Sequence, residues 1–288
     1  MKKVSVIGGS GFLGSHVADK LTLNGYEVTI CDYKKSRFLN PNQKFKKCDI
    51  LNLSSVKEAV IGTDFIYNFA ALADLNDAIT KPLDTIKINI LGNANILEAC
   101  KDQSIKRFIY ASTVYVYGRE GGFYRCSKKA AEDYVKEYSN TYGLEYTILQ
   151  YGSLYGPRSN SSNGLYRIVQ SALQNGILRY DGDSNATRSY IHVEDAAQSS
   201  VDILKNDFIN ETIILSGLEP MKVVDMLKTL AEIMNIPQDK IQFSDKPQAG
   251  HYIMTPYSYS KDMGKKYIPD KYIDLGQGLL QLIHEVKK

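Results

Sequence analysis

Short apolar runs alternate with amphipathic stretches along the first 150 residues. The runs predict buried strands, and the stretches between them, whose apolar positions recur every three or four residues, predict helices. Strict alternation of strand and helix is typical of a doubly wound α/β fold, in which right-handed crossovers build a parallel sheet. The predicted strands cover residues 4–7, 27–31, 44–48, 65–69, 107–111 and 145–150, and the predicted helices about 12–23, 54–60, 82–100 and 123–142.

The pattern becomes less regular after residue 150. Residues 151–187 are rich in Gly, Ser and Asn, with one amphipathic stretch at 165–173, and a further strand is predicted at 213–215. Two later helices are predicted at 221–234 and 275–286. We therefore expect a doubly wound domain made of 1–152 plus about 188–216. A smaller C-terminal α+β domain would then consist of about 153–187 plus 217–288.

A glycine-rich turn joins the first predicted strand to the first helix. Gly8, Gly11 and Gly14 are spaced to turn the backbone, to let it approach a pyrophosphate and to let the helix pack close to the strand. The helix N-terminus adds unpaired N–H groups and the positive end of its dipole, both of which attract phosphates. This arrangement predicts a Rossmann-like, dinucleotide-binding domain.

The end of the second strand indicates which dinucleotide binds. Asp32 lies 18 residues after Gly14, close to the spacing at which a carboxylate reaches the adenosine ribose hydroxyls. A carboxylate there repels the 2′-phosphate of NADP, so we expect NAD. Lys34, Lys35 and Arg37 follow at once. They either pair with that phosphate and restore NADP binding or form a solvated loop, which is the interpretation we prefer.

Tyr124 and Lys128 are the candidate catalytic residues. Positions four apart lie on one face of a helix, and this helix follows a strand that ends in Ser112-Thr113. A free tyrosine, with a pKa of about 10, is a poor base at neutral pH. A lysine cation and a positive nicotinamide ring both favour the phenolate, which would make Tyr124 a base. Thr113 can hydrogen-bond the same substrate hydroxyl.

The composition argues against several other classes. The 35 basic and 32 acidic residues leave a net charge of +3 with no long run of either sign, so we expect no nucleic-acid partner. No stretch reaches the ~20 apolar residues that span a bilayer. A strand that begins at residue 4 leads us to expect no signal peptide. The four cysteines lack a paired spacing, which is typical of reduced thiols in a cytoplasmic protein and indicates no metal site.

The chain is similar, over essentially its whole length, to the extended short-chain dehydrogenases/reductases that act on nucleotide sugars. The glycine turn, the acid at Asp32, the Ser-(Ser/Thr)-x-x-Val-Tyr-Gly element at 112–118 and the Tyr-x-x-x-Lys pair match the family in order. The resemblance implies an NAD-dependent enzyme. The residues that it assigns to NAD are Gly8, Gly11, Phe12, Leu13, Gly14, Asp32, Asp49, Ile50, Phe69, Ala70, Ala71, Asn89, Lys128 and Tyr151.

The resemblance also assigns a substrate site and a reaction. Residues 155–158 and 188–195 match segments that lie near the sugar nucleotide, and the arginine of the second segment typically meets the diphosphate. Tyr124 would remove a proton from a sugar hydroxyl, most often at C4, while hydride passes to the nicotinamide, and Lys128 would hold the nicotinamide ribose. The residues assigned to the substrate are Thr113, Tyr124, Ser153, Arg158 and Arg188.

This chain lacks residues that other branches of the family use for their reactions. The 4,6-dehydratases of the family carry an Asp-Glu pair where this chain has Val114 and Tyr115, and the glucuronate decarboxylases usually carry a glutamate in this element. Cys126 lies inside the Tyr–Lys helix, not where the 3,5-epimerases place their acid/base cysteine. We therefore expect a nucleotide-sugar C4 epimerase that passes through a 4-keto intermediate. The alternative is a C4 dehydrogenase or reductase without epimerisation.

Two further classes share parts of this pattern. An NAD(P)-dependent reductase of small carbonyl compounds would have the glycines and the Tyr–Lys pair, but Arg158 and residues 188–195 suit a substrate with a diphosphate. A non-enzymatic NAD(P)-binding regulator usually lacks the Tyr–Lys pair, which this chain retains. The helices at 82–100 and 123–142 form a dimer bundle in the family, so we expect a homodimer.

Departures from the family concern the sugar pocket. Only five residues separate Gly118 from Tyr124, and Gly152 stands where relatives carry an aromatic residue, so we expect an open pocket. Residues 251–252 suit either a loop that closes over the substrate or a solvated loop. His192 is interpreted as a structural residue.

Overall fold

A computed structural model describes residues 1–244, 250–261 and 263–287. Buried apolar runs form its strands: all seven residues of the strand Arg107–Thr113, for example, are buried. In chain order, the strands are β1 Lys3–Ile7, β2 Glu27–Asp32, β3 Lys44–Lys47, β4 Phe65–Asn68, β5 Arg107–Thr113, β6 Tyr146–Tyr151, β7 Ser153–Tyr155, β8 Leu178–Tyr180, β9 Thr187–Arg188, β10 Tyr190–His192, β11 Glu211–Leu215, β12 Met221–Lys222, β13 Ile241–Phe243 and β14 Lys265–Lys266.

Helices connect these strands, and side-chain or glycine caps mark several of their ends. Asn52 accepts a hydrogen bond from the N–H of Ser55 at the start of one helix, and Gly143 ends another in the left-handed region at φ 71°. The helices are α1 Phe12–Leu23, α2 Leu53–Val60, α3 Leu75–Thr80, α4 Pro82–Ile86, α5 Gly92–Lys101, α6 Gly122–Tyr142, α7 Gly164–Asn175, α8 Val193–Asp202, α9 Val223–Met234 and α10 Leu275–Lys287.

The described residues form a central eight-stranded parallel sheet with the order β14-β11-β6-β5-β4-β1-β2-β3. Helices α1 and α8 cover one face, and α2, α5 and α6 cover the other. The strand order reverses between β1 and β4, and an open α/β sheet binds ligands at the carboxyl ends of its strands at such a point. The doubly wound fold is as predicted.

A smaller unit packs helices α7, α9 and α10 around a separate apolar cluster that includes Val169, Leu227 and Leu282. Among the described residues, three two-stranded pairs lie outside the main sheet: β7 with β10, β9 with β12, and β8 with β13, the last of which packs against this cluster. Strand β14 departs from the predicted domain division, because it belongs to the segment assigned to the smaller domain and yet pairs with β11 in the main sheet. No helix among the described residues is both long and apolar enough to cross a bilayer.

The single helix predicted over residues 82–100 is interrupted. After α4, residues Lys87–Leu91 form a wide π-helical turn before α5 begins, and the short helix α3 precedes α4. A π-turn inserts one extra residue into a helix and often occurs at functional sites. Here it places Asn89 on the buried side of the segment.

Candidate active site

The glycine turn between β1 and α1 has the close packing that its spacing predicts. Gly8 has φ 77°, and a Cβ on it would lie 2.5 Å from the nitrogen of Ala70 at the end of the neighbouring strand. A Cβ on Gly14 would lie 2.4 Å from the carbonyl oxygen of Gly8. Gly11 is less crowded, because its Cβ would meet only that carbonyl oxygen, at 3.3 Å. The turn therefore leaves space above Gly11, where a pyrophosphate would approach the backbone.

The donors and acceptors around this turn fit a dinucleotide. Helix α1 begins at Phe12 with no side chain capping its first turn, so its first N–H groups face the open space. Leu13 packs its side chain against the core, which leaves its backbone as the group available to a phosphate. An oxygen of Asp32 accepts a hydrogen bond from the N–H of Ser10 at 3.1 Å, which holds the carboxylate beside the turn. These groups suit phosphates and ribose hydroxyls.

The cations after Asp32 are solvent-exposed. Lys34, Lys35 and Arg37 have exposed side chains, and Arg37 stacks on Phe38 with its guanidinium 4.7 Å from the ring centroid. This placement agrees with the interpretation of a solvated loop. Without a fixed cation beside Asp32, its carboxylate favours NAD over NADP.

The residues expected around the adenine and the nicotinamide lie along the same edge of the sheet. Asp49 is exposed and accepts a hydrogen bond from the N–H of Leu51, while the side chain of Ile50 packs over Gly92. After β4, Phe69 is followed by Ala70 and Ala71. The ring of Phe69 stacks on that of Tyr67 with centroids 5.9 Å apart. Tyr151 at the end of β6 shares a 2.7 Å hydrogen bond with the hydroxyl of Ser200.

Asn89, predicted to bind the cofactor, has its side-chain amide hydrogen-bonded within the protein. Its Nδ2 donates to the carbonyl of Leu72 at 3.0 Å and to the hydroxyl of Ser127 at 2.9 Å, and its Oδ1 accepts from the N–H of Leu72 at 2.7 Å. Both amide hydrogens are therefore committed to the protein. The structure makes Asn89 a positioning residue that ties the π-turn to the loop after β4 and to helix α6.

The three predicted catalytic residues come together at the carboxyl end of β5. Thr113 ends this strand, Tyr124 lies in the first turn of α6, and Lys128 follows one turn later, buried at 3% exposure. The Lys128 Nζ lies 6.0 Å from the centroid of the Tyr124 ring and donates a 2.7 Å hydrogen bond to the carbonyl of Ala111. Thr113 lies close enough to the Tyr124 phenol to lower its pKa. A substrate hydroxyl between them would contact both.

Burial dominates the electrostatics of this group. It raises the pKa of Tyr124 to about 12, against the hydrogen bond from Thr113, which lowers it. Burial also lowers the pKa of Lys128 to about 7, against the nearby carboxylate of Glu132. Lys128 alone therefore does not bring the Tyr124 phenol into the neutral range. The positive charge of the nicotinamide ring, which the sequence analysis also expected, is needed as well to favour the phenolate.

Glu132 is a buried acid beneath the catalytic group. At 1% exposure, its Oε1 accepts hydrogen bonds from the hydroxyl of Ser112 at 2.5 Å and from Nε2 of Gln150 at 2.9 Å. It thus links α6 to the carboxyl ends of β5 and β6, the strands that carry Thr113 and the cavity wall. Its helical spacing from Lys128 was visible in the sequence, but its partners on two strands were not.

A cavity of about 510 Å³ opens beside the catalytic group, between the sheet edge, α7 and residues 251–252. Thr113, Tyr124, Tyr151, Ser153 and Arg188, all predicted site residues, line it together with Phe12 at the start of α1. It therefore joins the glycine turn to the catalytic group. Lining residues that the sequence did not reveal include Asp74, Tyr115, Asn163, Arg167, Tyr180 and Tyr190.

Arg188 is the buried cation of this cavity. Its guanidinium donates hydrogen bonds to the carbonyls of Thr187 at 2.8 Å and Tyr252 at 2.6 Å, and to the hydroxyl of Tyr180 at 2.8 Å. It also lies over the ring of Tyr252, 4.5 Å from the centroid. The positive charge is thus fixed in one place, where it can attract an anionic substrate.

Arg158, predicted to bind the substrate, is not among the described residues that line the cavity. Its guanidinium pairs with Asp19 of α1 at 2.7 Å and stacks on Phe38, while its backbone N–H donates to Glu285 of α10. Gly156, with φ 131°, and Arg158 itself, with φ 65°, both lie in the left-handed region of the backbone. Arg158 joins the two parts of the molecule.

The extra space expected at Gly152 is not found. A Cβ on Gly152 would lie 2.6 Å from the carbonyl oxygen of Ser189, so an aromatic side chain there would have to displace backbone. The short loop before α6 is covered by the C-terminal segment, where the carbonyl of Gly250 accepts from the N–H of Gly121 at 2.8 Å. His192 is structural, as interpreted, since its Nδ1 caps α8 by accepting from the N–H of Glu194.

The chain is similar to known proteins over most of its length. Residues 4–215 match the model of the NAD dependent epimerase/dehydratase family. A putative UDP-glucose 4-epimerase of Methanocaldococcus jannaschii is 29% identical over 99% of this chain and 98% of its own. A UDP-N-acetyl-alpha-D-glucosaminuronate decarboxylase of Bacillus cytotoxicus is 29% identical over 83% of this chain and 85% of its own. The crystal structure of UDP-glucuronic acid 4-epimerase from Bacillus cereus, in complex with UDP-glucuronic acid and NAD, covers 99% of both chains with a TM-score of 0.86 and 25% identity.

The chain belongs to the NAD-dependent epimerase/dehydratase family. Membership confirms the predicted enzyme class and the use of NAD, and the similar structures confirm the Rossmann-like fold.

Proposed function

We propose that the protein is an NAD-dependent nucleotide-sugar 4-epimerase. The observation that carries this proposal is the position of Thr113 and Tyr124 in the wall of one cavity that also reaches the start of α1 and contains Arg188, with Lys128 buried one helical turn after Tyr124. A base, a hydrogen-bonding threonine, a cofactor turn and a buried cation are thus within reach of one bound molecule. The 4-epimerases among the similar proteins support the same reaction.

The side chains have distinct parts in this reaction. NAD, when bound, supplies the hydride chemistry at the sugar carbon. Tyr124, as phenolate, accepts the proton of the C4 hydroxyl when that carbon is oxidised and returns it when the keto group is reduced on its other face. Thr113 holds the same oxygen by a hydrogen bond, and Lys128 keeps positive charge beside the phenol. Positioning and a matched base supply the rate gain.

The remaining predicted site residues fall into two sets. Arg188 supports binding of the diphosphate, and Ser153, near it in the cavity wall, supports binding of the sugar. The residues proposed to contact NAD are Gly8, Gly11, Phe12, Leu13, Gly14, Asp32, Asp49, Ile50, Phe69, Ala70, Ala71, Lys128 and Tyr151.

Two measurements on the purified protein test the epimerase proposal. Nucleotides released by denaturation, identified by mass spectrometry, should include NAD in near-stoichiometric amount, because an internal redox cycle has no need to release its cofactor. Incubation with UDP-glucose, UDP-N-acetylglucosamine or UDP-glucuronic acid, followed by proton NMR, should then give the C4 epimer of at least one without added NAD. Net accumulation of NADH and a keto sugar would instead support the C4 dehydrogenase, and NADP in the released pool would contradict the role given to Asp32.

We also propose a homodimer formed through α4, the π-turn and α6. Leu83 is 70% exposed on α4, and Phe123 is 49% exposed at the start of α6, which packs beside α4. Leu83→Glu is expected to convert a species with the mass of two chains into one with the mass of a single chain, measured by light scattering after gel filtration. Leu23→Glu is the matched control, since Leu23 is 79% exposed at the end of α1, on another part of the surface. A wild-type protein with the mass of one chain would refute the dimer.

The division of the chain into binding regions is a further proposal. The main sheet with residues 1–152 and 188–216 holds NAD, and residues 153–187 and 217–288 supply most of the nucleotide-sugar site. We also propose a cytoplasmic location, which the four free cysteines Cys31, Cys48, Cys100 and Cys126 support.

A further inference from the structure

The described part of the chain buries a single lysine, Lys128, and a single acidic residue, Glu132, and both lie on helix α6. They are four residues apart, so their side chains lie on the same face of the helix. Tyr124, four residues before Lys128, lies on that face as well. A charge in a protein interior is costly unless an opposite charge or hydrogen bonds compensate it. Each of the two residues can give the other that compensation.

Strand β5 holds the charged ends of the two side chains next to each other. The Nζ of Lys128 donates to the carbonyl of Ala111 at 2.7 Å, and Oε1 of Glu132 accepts from the hydroxyl of Ser112 at 2.5 Å. Ala111 and Ser112 are consecutive residues of β5, which ends at Thr113. The ammonium and the carboxylate are therefore anchored side by side, directly beneath the residues that line the cavity.

The directions of the hydrogen bonds make Glu132 an acceptor. The backbone N–H of Gly264 can only donate, and it donates to the hydroxyl of Tyr117 at 2.7 Å. Tyr117 in turn donates to Oε1 of Gln150 at 2.6 Å, which turns Nε2 of Gln150 towards Glu132. That Nε2 donates to Oε1 of Glu132 at 2.9 Å. Together with the hydroxyl of Ser112, two donors converge on one carboxylate oxygen, which favours the ionised acid.

The pKa values agree with this geometry. Burial raises the pKa of Glu132, but the hydrogen bonds from Ser112 and Gln150 lower it. Burial lowers the pKa of Lys128 to about 7, and the carboxylate of Glu132 opposes that effect. Each residue thus has a specific partner that favours its charged form.

The other titratable groups that face the pair do not replace either charge. The Nζ of Lys128 lies 4.9 Å from the ring centroid of Tyr110 on β5, and burial raises the pKa of that phenol well above its ordinary value. Two further phenols with raised pKa values and two lysines of α6 face Glu132, namely Tyr117, Tyr146, Lys129 and Lys136. The three phenols are neutral at neutral pH, and solvent screens the less buried lysines.

We propose that Glu132 is a positioning residue of the reaction, whose buried carboxylate keeps Lys128 charged and in place beside Tyr124. Glu132 is not among the described residues that line the cavity, so it acts through Lys128 and not on a bound molecule. This inference rests on the proposed function, because the charge of Lys128 affects turnover only if Tyr124 is the base.

Glu132→Gln tests the role of the charge, because glutamine keeps the size of the side chain and an oxygen that can accept from Ser112 and Gln150. In the cofactor-free protein, carbon-13 NMR of labelled lysine side chains should show the pKa of Lys128 lowered by about 1 pH unit, as expected when a nearby opposite charge is lost. The signal of Lys128 is the one that Lys128→Met lacks. Glu137→Gln, the same change at an exposed position of α6, should leave that pKa at its wild-type value.

The pH profile of epimerisation gives a second readout. Activity should fall on the alkaline side as Lys128 loses its proton, and Glu132→Gln should move that fall to lower pH. At about pH 8, kcat should decrease by about 10-fold, since a change of 1 pH unit alters the protonated fraction about tenfold. KM should change little, and Glu132→Asp, which keeps the charge, should restore the position of the alkaline fall.

A merely structural role for Glu132 would lower turnover by one factor at every pH and leave the pKa of Lys128 unchanged in Glu132→Gln. That result would overturn the proposal. The wild type offers a test that needs no variant, since protonation of Glu132 in acid should appear as a second change in the NMR signal of Lys128. Absence of that second change would also refute the coupling.

The NMR titration separates this inference from the proposed function. A lowered pKa of Lys128 in Glu132→Gln, in a protein that epimerises none of the tested sugars, would refute the epimerase proposal alone. An unchanged pKa would refute the role of Glu132, whatever the turnover.

Discussion

Tyr124→Phe is expected to lower the rate of sugar epimerisation by roughly 10³-fold, within the range that loss of a general base produces. The substitution removes only the hydroxyl that would accept the substrate proton, while the ring stays in the first turn of α6. Binding of NAD should change little, because the glycine turn and Asp32 are separate from this hydroxyl. Turnover is followed by NMR, and the NAD content is measured on the denatured protein.

The control for this variant is Tyr142→Phe, at the end of the same helix. Tyr142 is 55% exposed, so loss of its hydroxyl should leave turnover at the wild-type rate. If Tyr124→Phe retained more than about a tenth of the activity, the assignment of Tyr124 as the base would be wrong.

Lys128→Met is expected to raise the free energy of unfolding of the cofactor-free protein while removing most of its activity. A buried lysine whose pKa falls from 10.5 to about 7 is destabilising when charged, because folding must remove the ammonium from water. Methionine has a similar shape and no charge. The loss of the bond to the Ala111 carbonyl offsets part of the gain, which leaves a net stabilisation of about 1–3 kcal/mol.

The sign of the pH dependence follows from these pKa values. Below pH 7, Lys128 is protonated in both the folded and the unfolded state, so the full cost is present and the variant has its largest advantage. As pH rises from 7 towards 10.5, the folded protein releases the proton before the unfolded chain does. The wild type therefore gains stability, and the difference from the variant shrinks.

Urea unfolding of the cofactor-free wild type and variant at pH 6 and pH 9 checks this prediction. Lys129→Met is the control, since Lys129 is exposed on the same helix and makes only a 3.7 Å contact with Asp133. An unfolding free energy of Lys128→Met below that of the wild type at pH 6 would mean that Lys128 stabilises the fold, against the expectation from its burial.

The sequence was sufficient to predict the features that depend on local pattern. The spacing of apolar residues, together with the turn residues between the apolar runs, predicted the strands of the main sheet up to β6. The spacing of Gly8, Gly11 and Gly14 predicted a tight turn, and the structure has close packing at Gly8 and Gly14. The four-residue spacing of Tyr124 and Lys128 likewise predicted two side chains on one face of α6. Each of these patterns depends only on residues that lie close together in the sequence.

Features that depend on distant partners could not be predicted in this way. Arg158 was assigned to the substrate from its segment, but Asp19, about 140 positions earlier in the chain, decides where its guanidinium lies. Gly152 suggested open space, whereas the backbone of Ser189 fills it. The π-turn at Lys87–Leu91 differs from a regular helix by one residue, a change that apolar periodicity does not resolve.

The order of strands in the main sheet has a consequence for how the protein is made. Strand β11 pairs with β6 only after about 60 intervening residues, and β14, near the end of the chain, pairs with β11. A nascent chain that has emerged only as far as residue 151 would carry β6 as an unprotected edge. Such long-range pairing slows folding and leaves intermediates prone to association. Expression of residues 1–152 alone should therefore favour aggregation, even though that fragment contains the whole glycine turn and the catalytic helix.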